Sequence, residues 1–411
     1  MIERRLKESK EFPLRFFFSS SLYHPSSLPF DPKKDTPDVF TRFRKMCEGV
    51  RSEIHMPLAM PDIFKPYPTD VDIEPIPIDD VLDYSQYFLS EPYKTDPRSA
   101  FPFQGGETAA LQRLNEYFFQ SKLISTYKET RNGLLGHAYS SKFSPWLAHG
   151  CISPRFITSE LQRYEKAHGE NESTYWLYFE LLWRDYFKFV AVKYGNHMFF
   201  LEGMLGYNGA RKDKSWSTNR LSFDRWKEGN TGIPFVDANM RELSTTGFVS
   251  NRGRQNVASF LTNDISLNWL MGAEWFESQL IDHDPASNYG NWQYIAGVGN
   301  DPRSDRKFNM IKQAKDYDPN GEFVKTWCPE LKSISVELVQ SPWRLSGAEM
   351  QESKCIVGKD YPTPQVIDPM WAKHEGRSQG SKTHGNPMES VGKKFNGKRG
   401  GRVQSGYGSR K

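Results

Sequence analysis

The stretch that decides the fold is Glu180-Leu181-Leu182-Trp183-Arg184-Asp185-Tyr186-Phe187. On a helix, Glu180, Trp183, Arg184 and Phe187 fall at positions i, i+3, i+4 and i+7, so these side chains share one face. A carboxylate, an indole and a guanidinium on one face could hold and stack a base. The alternative is an ordinary helix with an internal Glu180–Arg184 pair and a buried indole, which is the commoner arrangement.

Helical patterns dominate the region around this stretch, residues 101–365, and alternating strand patterns are nearly absent. The predicted helices are Glu107–Lys122, Pro154–Ala167, Thr174–Lys193, Ile233–Thr245, Asn256–Leu270 and Ala273–Ile281. Ser144-Pro145 and Ser153-Pro154 indicate helix starts, because Ser can cap and Pro suits the first helical position. With 28 Phe, 19 Tyr and 11 Trp available for a core, we expect an all-α, multi-helix domain built on aromatic packing.

The flanking regions have different compositions. Residues 31–100 are rich in Pro, which indicates a long connector between domains, with one helix near Asp38–Val50. Residues 366–411 are rich in Gly and basic residues, and the run Gly397–Arg402 is similar to an RGG segment. Such a composition cannot bury enough apolar surface to fold, so we expect a disordered tail. The tail is either a solvated extension or a weak binder of RNA or single strands.

Composition also excludes several classes of protein. No run of 18 apolar residues occurs, so a spanning helix and a membrane partner are not expected. The four Cys are scattered and form no CxxC motif, which argues against a disulfide framework and favours a reducing, intracellular setting. Residues 1–30 hold Arg and Ser as a transit peptide does, but Glu3, Glu8 and Glu11 argue against one. Nucleus, cytoplasm and organelle all stay open.

Two further motifs could carry chemistry. The run Ser140–Trp146 places hydroxyls and Lys142 before a Pro-initiated helix, which is either a phosphate site or an ordinary capped helix. In the run Asp282–Tyr294, Asp282 and Asp284 are either metal ligands or partners of Arg254. The EF-hand pattern fails because no ligand Glu follows at the right place, and we predict no metal site.

Taken together and in order, these motifs resemble the flavin-binding half of the photolyase/cryptochrome family. The resemblance runs from about Phe101 to Leu331 and includes the run Gly232–Arg241. Gln255 stands where many photolyases carry Met, and Tyr294 stands where many carry Trp. These two residues, with the run Leu22–Lys45, point to the DASH cryptochrome branch.

One departure from the family is large. Family members begin with an α/β antenna domain, and residues 1–30 match only its last few residues. We therefore expect 1–30 to be a remnant of that domain, and most of the site for the pterin antenna methenyltetrahydrofolate to be missing.

The resemblance implies bound FAD and assigns its contacts residue by residue. Positions that match phosphate and ribityl contacts are Tyr127, Ser140, Ser141, Lys142, Phe143, Ser144 and Arg184. Positions that match contacts near the isoalloxazine are Arg254, Asp282, Asp284 and Asn288, with Asn288 facing flavin N5.

The resemblance further implies a deoxyribodipyrimidine photolyase, in which excited reduced FAD splits cyclobutane pyrimidine dimers flipped out of single-stranded or locally opened DNA. Lesion-pocket positions are Glu180, Trp183, Asn251, Gln255 and Tyr294. An electron relay for flavin reduction matches Trp292 as the proximal, Trp269 as the middle and Trp216 as the outer indole. The chain is expected to be a monomer. Two alternatives stay open: a blue-light photoreceptor that signals without repair, and nucleic-acid binding through the basic tail.

Overall fold

The computed structural model describes residues 20–58, 61–63, 94–206, 215–300 and 307–375. Throughout these ranges the regular structure is helical, and the only β pairing is two isolated bridges, Ser217–Leu267 and Val357–Tyr361. The prediction of an all-α fold is confirmed. No helix in the described ranges is long and apolar enough to cross a membrane.

Fourteen α-helices are used below. In chain order they are α1 Phe40–Glu48, α2 Glu107–Asn115, α3 Tyr127–Thr130, α4 Ser144–Ala148, α5 Pro154–His168, α6 Glu172–Tyr194, α7 Arg220–Lys227, α8 Pro234–Thr246, α9 Asn251–Ser259, α10 Trp269–Gln279, α11 Pro285–Ala296, α12 Met310–Tyr317, α13 Glu322–Trp327 and α14 Gly347–Ser353. Short 3₁₀ turns cover Pro25–Ser27, Arg51–Glu53, Leu123–Thr126, Gly195–Phe199, Pro329–Leu331, Pro342–Arg344 and Pro369–His374.

Helix α6 is the central element, and its start is fixed by a capping box. The Asn171 side chain accepts from the backbone N–H groups of Ser173 and Thr174, and the Thr174 hydroxyl accepts in return from the Asn171 N–H. The helix ends at Tyr194, and Gly195 is its C-cap. It packs against α11, α3 and α1, so the residues on its faces form walls between these elements.

Helix α11 begins and ends at equally clear signals. Asp284 accepts from the backbone N–H of Ser287, Pro285 occupies the first turn, and Gly297 takes the left-handed conformation after the last turn. Helix α11 packs on α10, α6 and α9. This fixes the 285–296 run of sequence at the centre of the fold.

Three predicted helices agree with the structure to within two residues at each end: α5, α6 and α8. The prediction of one helix over Asn256–Leu270 is wrong. Helix α9 ends at Ser259 in a π turn over Phe260–Asp264, Ser266 adopts a positive φ of 53°, and Asn268 caps the next helix, α10.

The remaining predictions of helix ends and caps agree with the structure only in part. The predicted helix Ala273–Ile281 in fact starts at Trp269, and Glu107–Lys122 becomes α2 followed by a π turn. Ser153 caps α5, as predicted, but Ser144 does not cap α4. Ser144 lies inside that helix, because Phe143 takes the cap position.

The N-terminal described segment is fastened to α6. The backbone N–H groups of Leu22 and Tyr23 donate to the buried Asp185 carboxylate at 2.9 and 2.8 Å. Burial raises the pKa of Asp185 to about 6. The helix predicted near Asp38–Val50 is α1. Residues 1–19, 59–60, 64–93 and 376–411 lie outside the described residues, so most of the antenna remnant, part of the connector and the tail beyond residue 375 stay predictions. Residues 366–375, which the prediction assigned to the disordered tail, include the 3₁₀ turn Pro369–His374 with the buried Trp371.

Candidate functional site

A cavity of about 520 Å³ opens between α6, α9, α11 and the loop before α4. The two predicted positions that do not line it are the relay residues Trp269 and Trp216. The predicted positions that line it are Tyr127, Ser140, Ser141, Lys142, Phe143, Ser144, Glu180, Trp183, Arg184, Asn251, Arg254, Gln255, Asp282, Asp284, Asn288, Trp292 and Tyr294. The fold therefore brings together segments that lie far apart in the sequence, although their roles stay predictions.

The loop 140–144 is held in an unusual shape from behind. Ser140 and Lys142 adopt left-handed φ values of 58° and 65°, a conformation that costs free energy in residues other than Gly. The buried guanidinium of Arg113 donates to the carbonyls of His137, Ser140 and Ser141. These bonds keep the loop carbonyls turned toward Arg113.

Lys142 places a buried amine at the cavity wall. It is 2% exposed, and its Nζ lies 2.8 Å from the centre of the Tyr139 ring. Among the described residues no acceptor hydrogen-bonds this Nζ. Burial lowers the pKa of Lys142 well below its usual range. An anionic group in the cavity would supply the missing acceptor and favour the charged form of Lys142.

Glu242 lies behind the same wall. It is 1% exposed, and burial raises its pKa to about 8, against the influence of Lys142 and Arg254, which lower it. A carboxyl that keeps its proton near neutral pH adds no negative charge to the cavity wall. The loop 140–144 and Lys142 thus fit a phosphate-bearing ligand.

Arg254 and Asp282 form a forked ion pair at the cavity. The Arg254 Nη1 and Nη2 atoms donate to Asp282 Oδ1 and Oδ2 at 3.0 and 2.8 Å, while its Nε donates to the Val249 carbonyl. The Asp282 side chain is 1% exposed. The sequence left Asp282 as either a metal ligand or a partner of Arg254, and in the structure it pairs with Arg254. No group of three or more His, Cys, Asp or Glu in the described ranges could hold a metal ion.

Asp284 and Asn288 act first on the protein itself. Asp284 caps α11 through the Ser287 N–H at 2.8 Å. The Asn288 Nδ2 donates to the Ala273 carbonyl at 3.0 Å. That bond fixes the amide against α10, and Asn288 lines the cavity.

The α6 face predicted from sequence does line the cavity, but its internal pairing differs. Glu180 pairs with Arg131 of the turn after α3. Arg184 donates instead to the carbonyls of Ser20 and Leu147 at 2.6 and 2.9 Å. The alternative of an internal Glu180–Arg184 pair is therefore wrong, because each of the two side chains has its partner on another element. Burial raises the pKa of Glu180, against the lowering influence of Arg131.

Trp183 is partly covered by the chain itself. Its ring stacks on Phe40 of α1 with centroids 3.6 Å apart and planes 12° apart, and it meets Tyr294 edge-on at 5.9 Å. Gln255 accepts from Arg252 Nη1 at 2.9 Å, and Arg252 Nη2 donates to Asn132 at 3.2 Å. The mouth of the cavity is thus aromatic on one side and amide-lined on the other.

Of the three predicted relay indoles, Trp292 lines the cavity, whereas Trp269 and Trp216 do not. Trp292 is 2% exposed and lies on Gly272 of α10, whose added Cβ would meet the indole at 2.3 Å. Trp269, fully buried at the start of α10, donates its Nε1 hydrogen to the Leu201 carbonyl at 3.0 Å. Trp216 is partly buried and precedes Ser217, which is bridged to Leu267 just ahead of Trp269.

Sequence reasoning missed several residues of the site. Arg113 and Glu242 lie in ordinary helical patterns, and Arg131 follows the short helix α3. Nothing local marks the partners of these three residues. Trp226 was also missed, and its ring packs against that of Trp292 with the centroids 6.2 Å apart. The only sequence signal for these residues is their residue type, since a charged or indole side chain on an apolar face needs a hydrogen-bond or ion-pair partner when it is buried.

Comparisons with known proteins show which family the chain resembles. A family model described as the FAD binding domain of DNA photolyase matches residues 176–377. The chain is 52% identical to Cryptochrome DASH of Xenopus laevis over 358 residues, covering 87% of the chain and 66% of that protein. It is 50% identical to Cryptochrome DASH of Danio rerio over 397 residues, covering 96% and 73%. The crystal structure of the Synechocystis cryptochrome superposes with a TM-score of 0.78 at 48% identity, covering 85% of this chain and 70% of that one.

Proposed function

Because the chain belongs to the DASH cryptochromes of the photolyase/cryptochrome family and contains their FAD-binding domain, we propose that it repairs cyclobutane pyrimidine dimers in single-stranded DNA under blue light. The observation that carries the proposal is one cavity lined by two chemically different groups of side chains. One group holds the basic residues Lys142 and Arg254, which both lie at the Phe248 ring, and the other holds Glu180, Trp183 and Gln255. A phosphate-bearing cofactor suits the first group, and a pair of flipped bases suits the second.

On this proposal, the loop 140–144 and Lys142 hold the phosphates of FAD. Each charge-assisted hydrogen bond contributes about 1.5–3 kcal/mol. Arg254, already oriented by Asp282, and Asn288 would hold the ring system. When bound and reduced, FAD would supply the photoexcited electron for splitting the dimer. The side chains would hold the two partners in one cavity.

Glu180 and its partner Arg131 orient the lesion. The pair is partly exposed at the cavity mouth, so the carboxylate is available to base N–H groups. Trp183 contributes its uncovered ring face, and stacking on an aromatic side chain is worth about 1–3 kcal/mol per base. Asn251, Gln255 and Tyr294 complete a polar pocket. A base must leave the duplex stack to enter it, which costs least in a single strand.

Trp292, Trp269 and Trp216 form the proposed relay that supplies electrons to the cavity from the surface. Trp292 lines the cavity itself, and its contact with Gly272 joins it to the helix that begins with Trp269. The relay keeps the cofactor reduced and takes no part in the repair step.

A second candidate function is a blue-light photoreceptor that uses the same flavin without repair. The position of Phe40 favours the photoreceptor function. The Phe40 ring covers one face of Trp183, with the ring centroids 3.6 Å apart, and so halves the surface on which a base could stack. The repair proposal requires the other face to suffice. Nucleic-acid binding through the basic tail concerns residues outside the described ranges.

The proposed cofactor site is tested by Lys142→Met, with Lys359→Met as the matched control at an exposed turn. Losing one charge-assisted hydrogen bond of about 1.5–3 kcal/mol weakens FAD binding on the order of 10- to 100-fold. Without FAD, the same change removes a buried amine that has no hydrogen-bond acceptor among the described residues, and it raises the melting temperature. If Lys142→Met binds FAD as tightly as Lys359→Met, the phosphates are not held at this wall.

The lesion site is tested in the dark. The quantity is the affinity for a single-stranded oligonucleotide carrying one dimer, minus the affinity for its undamaged twin. The proposal expects a clear preference for the lesion that Trp183→Ala reduces. Equal affinity for the two strands would contradict it and leave the photoreceptor function.

A further inference from the structure

Tyr289 lies on α11 between two cavity-lining residues, Asn288 and Trp292, but faces away from the cavity. It is 7% exposed. Its ring meets Trp269 edge-on, with centroids 6.3 Å apart and planes 81° apart. Phe199 covers it on another side at 4.7 Å. Edge-to-face rings at these separations are in direct contact, so Tyr289 is a direct aromatic neighbour of the middle relay indole.

The hydroxyl of Tyr289 points toward a carboxylate near the surface. It donates to Glu277 Oε2 at 2.7 Å. The Glu277 side chain is 48% exposed, and His283 Nε2 lies 3.9 Å from its Oε1. The phenol is thus buried at its ring and has a proton acceptor in contact with solvent at its oxygen.

The charges around the phenol keep its proton in place in the resting protein. Burial is the main cause that raises the pKa of Tyr289 above its usual range, and Glu277 and Glu274 add to it. An electron can leave a phenol easily only when the proton leaves as well. The hydrogen bond to Glu277 provides that route.

We propose that Tyr289 reduces the oxidised indole of Trp269 and passes its phenolic proton to Glu277. This inference rests on the proposed relay, because the oxidant is the indole radical cation left on Trp269 after it has given an electron toward the cavity. One electron moves from Tyr289 to Trp269, which becomes a neutral indole. The O–H bond of Tyr289 breaks, and the proton forms a new O–H bond on Glu277. The products are a neutral tyrosyl radical and a neutral carboxylic acid.

This step gives the relay a second branch besides Trp216. A hole on Trp216 can return to Trp269 by electron movement alone. A hole on Tyr289 returns only when Glu277 gives the proton back, and its exposed carboxylic acid can lose that proton to water first. The branch therefore traps the separated charge, and it lengthens the time during which an external reductant can act.

The structural alternative is that the Tyr289–Glu277 bond only ties α11 to α10. Flash illumination of the purified flavin-loaded protein separates the two readings. The proposal expects the broad indole-radical absorption to give way to the narrow tyrosyl band, and Tyr289→Phe to abolish that band. Glu277→Gln slows its appearance on the order of 100-fold, the low end of what a positioned proton acceptor contributes. A tyrosyl band that persists in Tyr289→Phe overturns the assignment.

Two controls keep this result separate from the proposed function. If the flash yields an indole radical and no tyrosyl band, the Tyr289 branch is wrong and the relay stands. If no indole radical forms, both are wrong. In the dark, the tyrosine bands of the ultraviolet Raman difference spectrum between wild type and Tyr289→Phe report the hydrogen bond without any turnover. The Tyr289 bands identified in this way must lie at different positions in Glu277→Gln than in the wild type. Identical positions in the two proteins overturn the proposal.

Discussion

The indole of Trp292 lies so close to α10 that Gly272→Ala should displace it. An added Cβ would lie 2.3, 2.6 and 2.9 Å from three carbons of the indole, whereas carbon atoms in contact normally sit about 3.5–4.0 Å apart. The ring or the helix must therefore move by roughly 1 Å. The rings of Phe276 and Trp226 confine the indole on other sides, with centroids 5.1 and 6.2 Å from that of Trp292.

The magnitude follows from two opposing terms. Overpacking of a filled core costs about 1–3 kcal/mol, and replacing a helix-interior Gly by Ala returns about 0.5–1 kcal/mol. With the middle of each range, the net loss in the free energy of unfolding is about 1 kcal/mol, which lowers Tm by about 1–2 °C in a chain of this size. Because the displaced indole belongs to the proposed relay, flavin photoreduction should slow as well.

The assay is a pair of melting curves and a photoreduction time course. Gly347→Ala is the matched control, since a Cβ there meets nothing within 4 Å, and it should leave Tm unchanged or slightly raised. The smaller ring of Trp292→Phe should relieve the clash, so the double variant Gly272→Ala with Trp292→Phe loses less stability than the two single changes added together. Wild-type Tm and wild-type photoreduction in Gly272→Ala would refute the close packing of Trp292.

Three other predictions follow from the site. Trp292→Phe should retain FAD but slow photoreduction strongly, as illumination with a reductant measures, while the chemically reduced variant still repairs. Trp183→Ala should lower the lesion preference in strand binding more than Glu180→Gln, because Gln keeps the shape and some hydrogen bonding whereas Ala removes a stacking face worth about 1–3 kcal/mol; an unchanged preference in Trp183→Ala would make it a core residue. Burial raises the pKa of Glu242 from 4.5 to about 8, so the folded state holds a proton that the unfolded chain releases, and stability from this group falls as pH rises across that window. Glu242→Gln should remove this fall in thermal melts, and an identical pH profile would contradict the buried, protonated state.

Local sequence signals predicted the helices that carry strong boundary residues. Helices α5, α6 and α8 begin at a capping side chain or a Pro and end at Gly, and these signals act within a few residues. The break after Ser259 could not be predicted in this way. Its π turn and the left-handed Ser266 depend on packing against distant elements, which no local pattern encodes.

The candidate site shows the same division. Residue types and spacing placed Glu180, Trp183 and Arg184 on one face, because helical periodicity alone determines it. Their partners come from elsewhere in the chain: Arg131 for Glu180, and backbone carbonyls for Arg184. Phe40 lies far from Trp183 in sequence, and only the fold reveals that it covers the indole. Partners at long sequence separation are a property of the tertiary structure.

The central claim is light-driven repair, and one measurement tests it most directly. Purified, flavin-loaded protein in its reduced form is given a single-stranded oligonucleotide with one cyclobutane dimer, and intact pyrimidines are counted after blue light and after darkness. A duplex of the same sequence is the parallel sample. We predict repair in the light alone, and more on the single strand than on the duplex. Flavin-loaded protein that binds the lesion but restores no pyrimidines in light would contradict the claim.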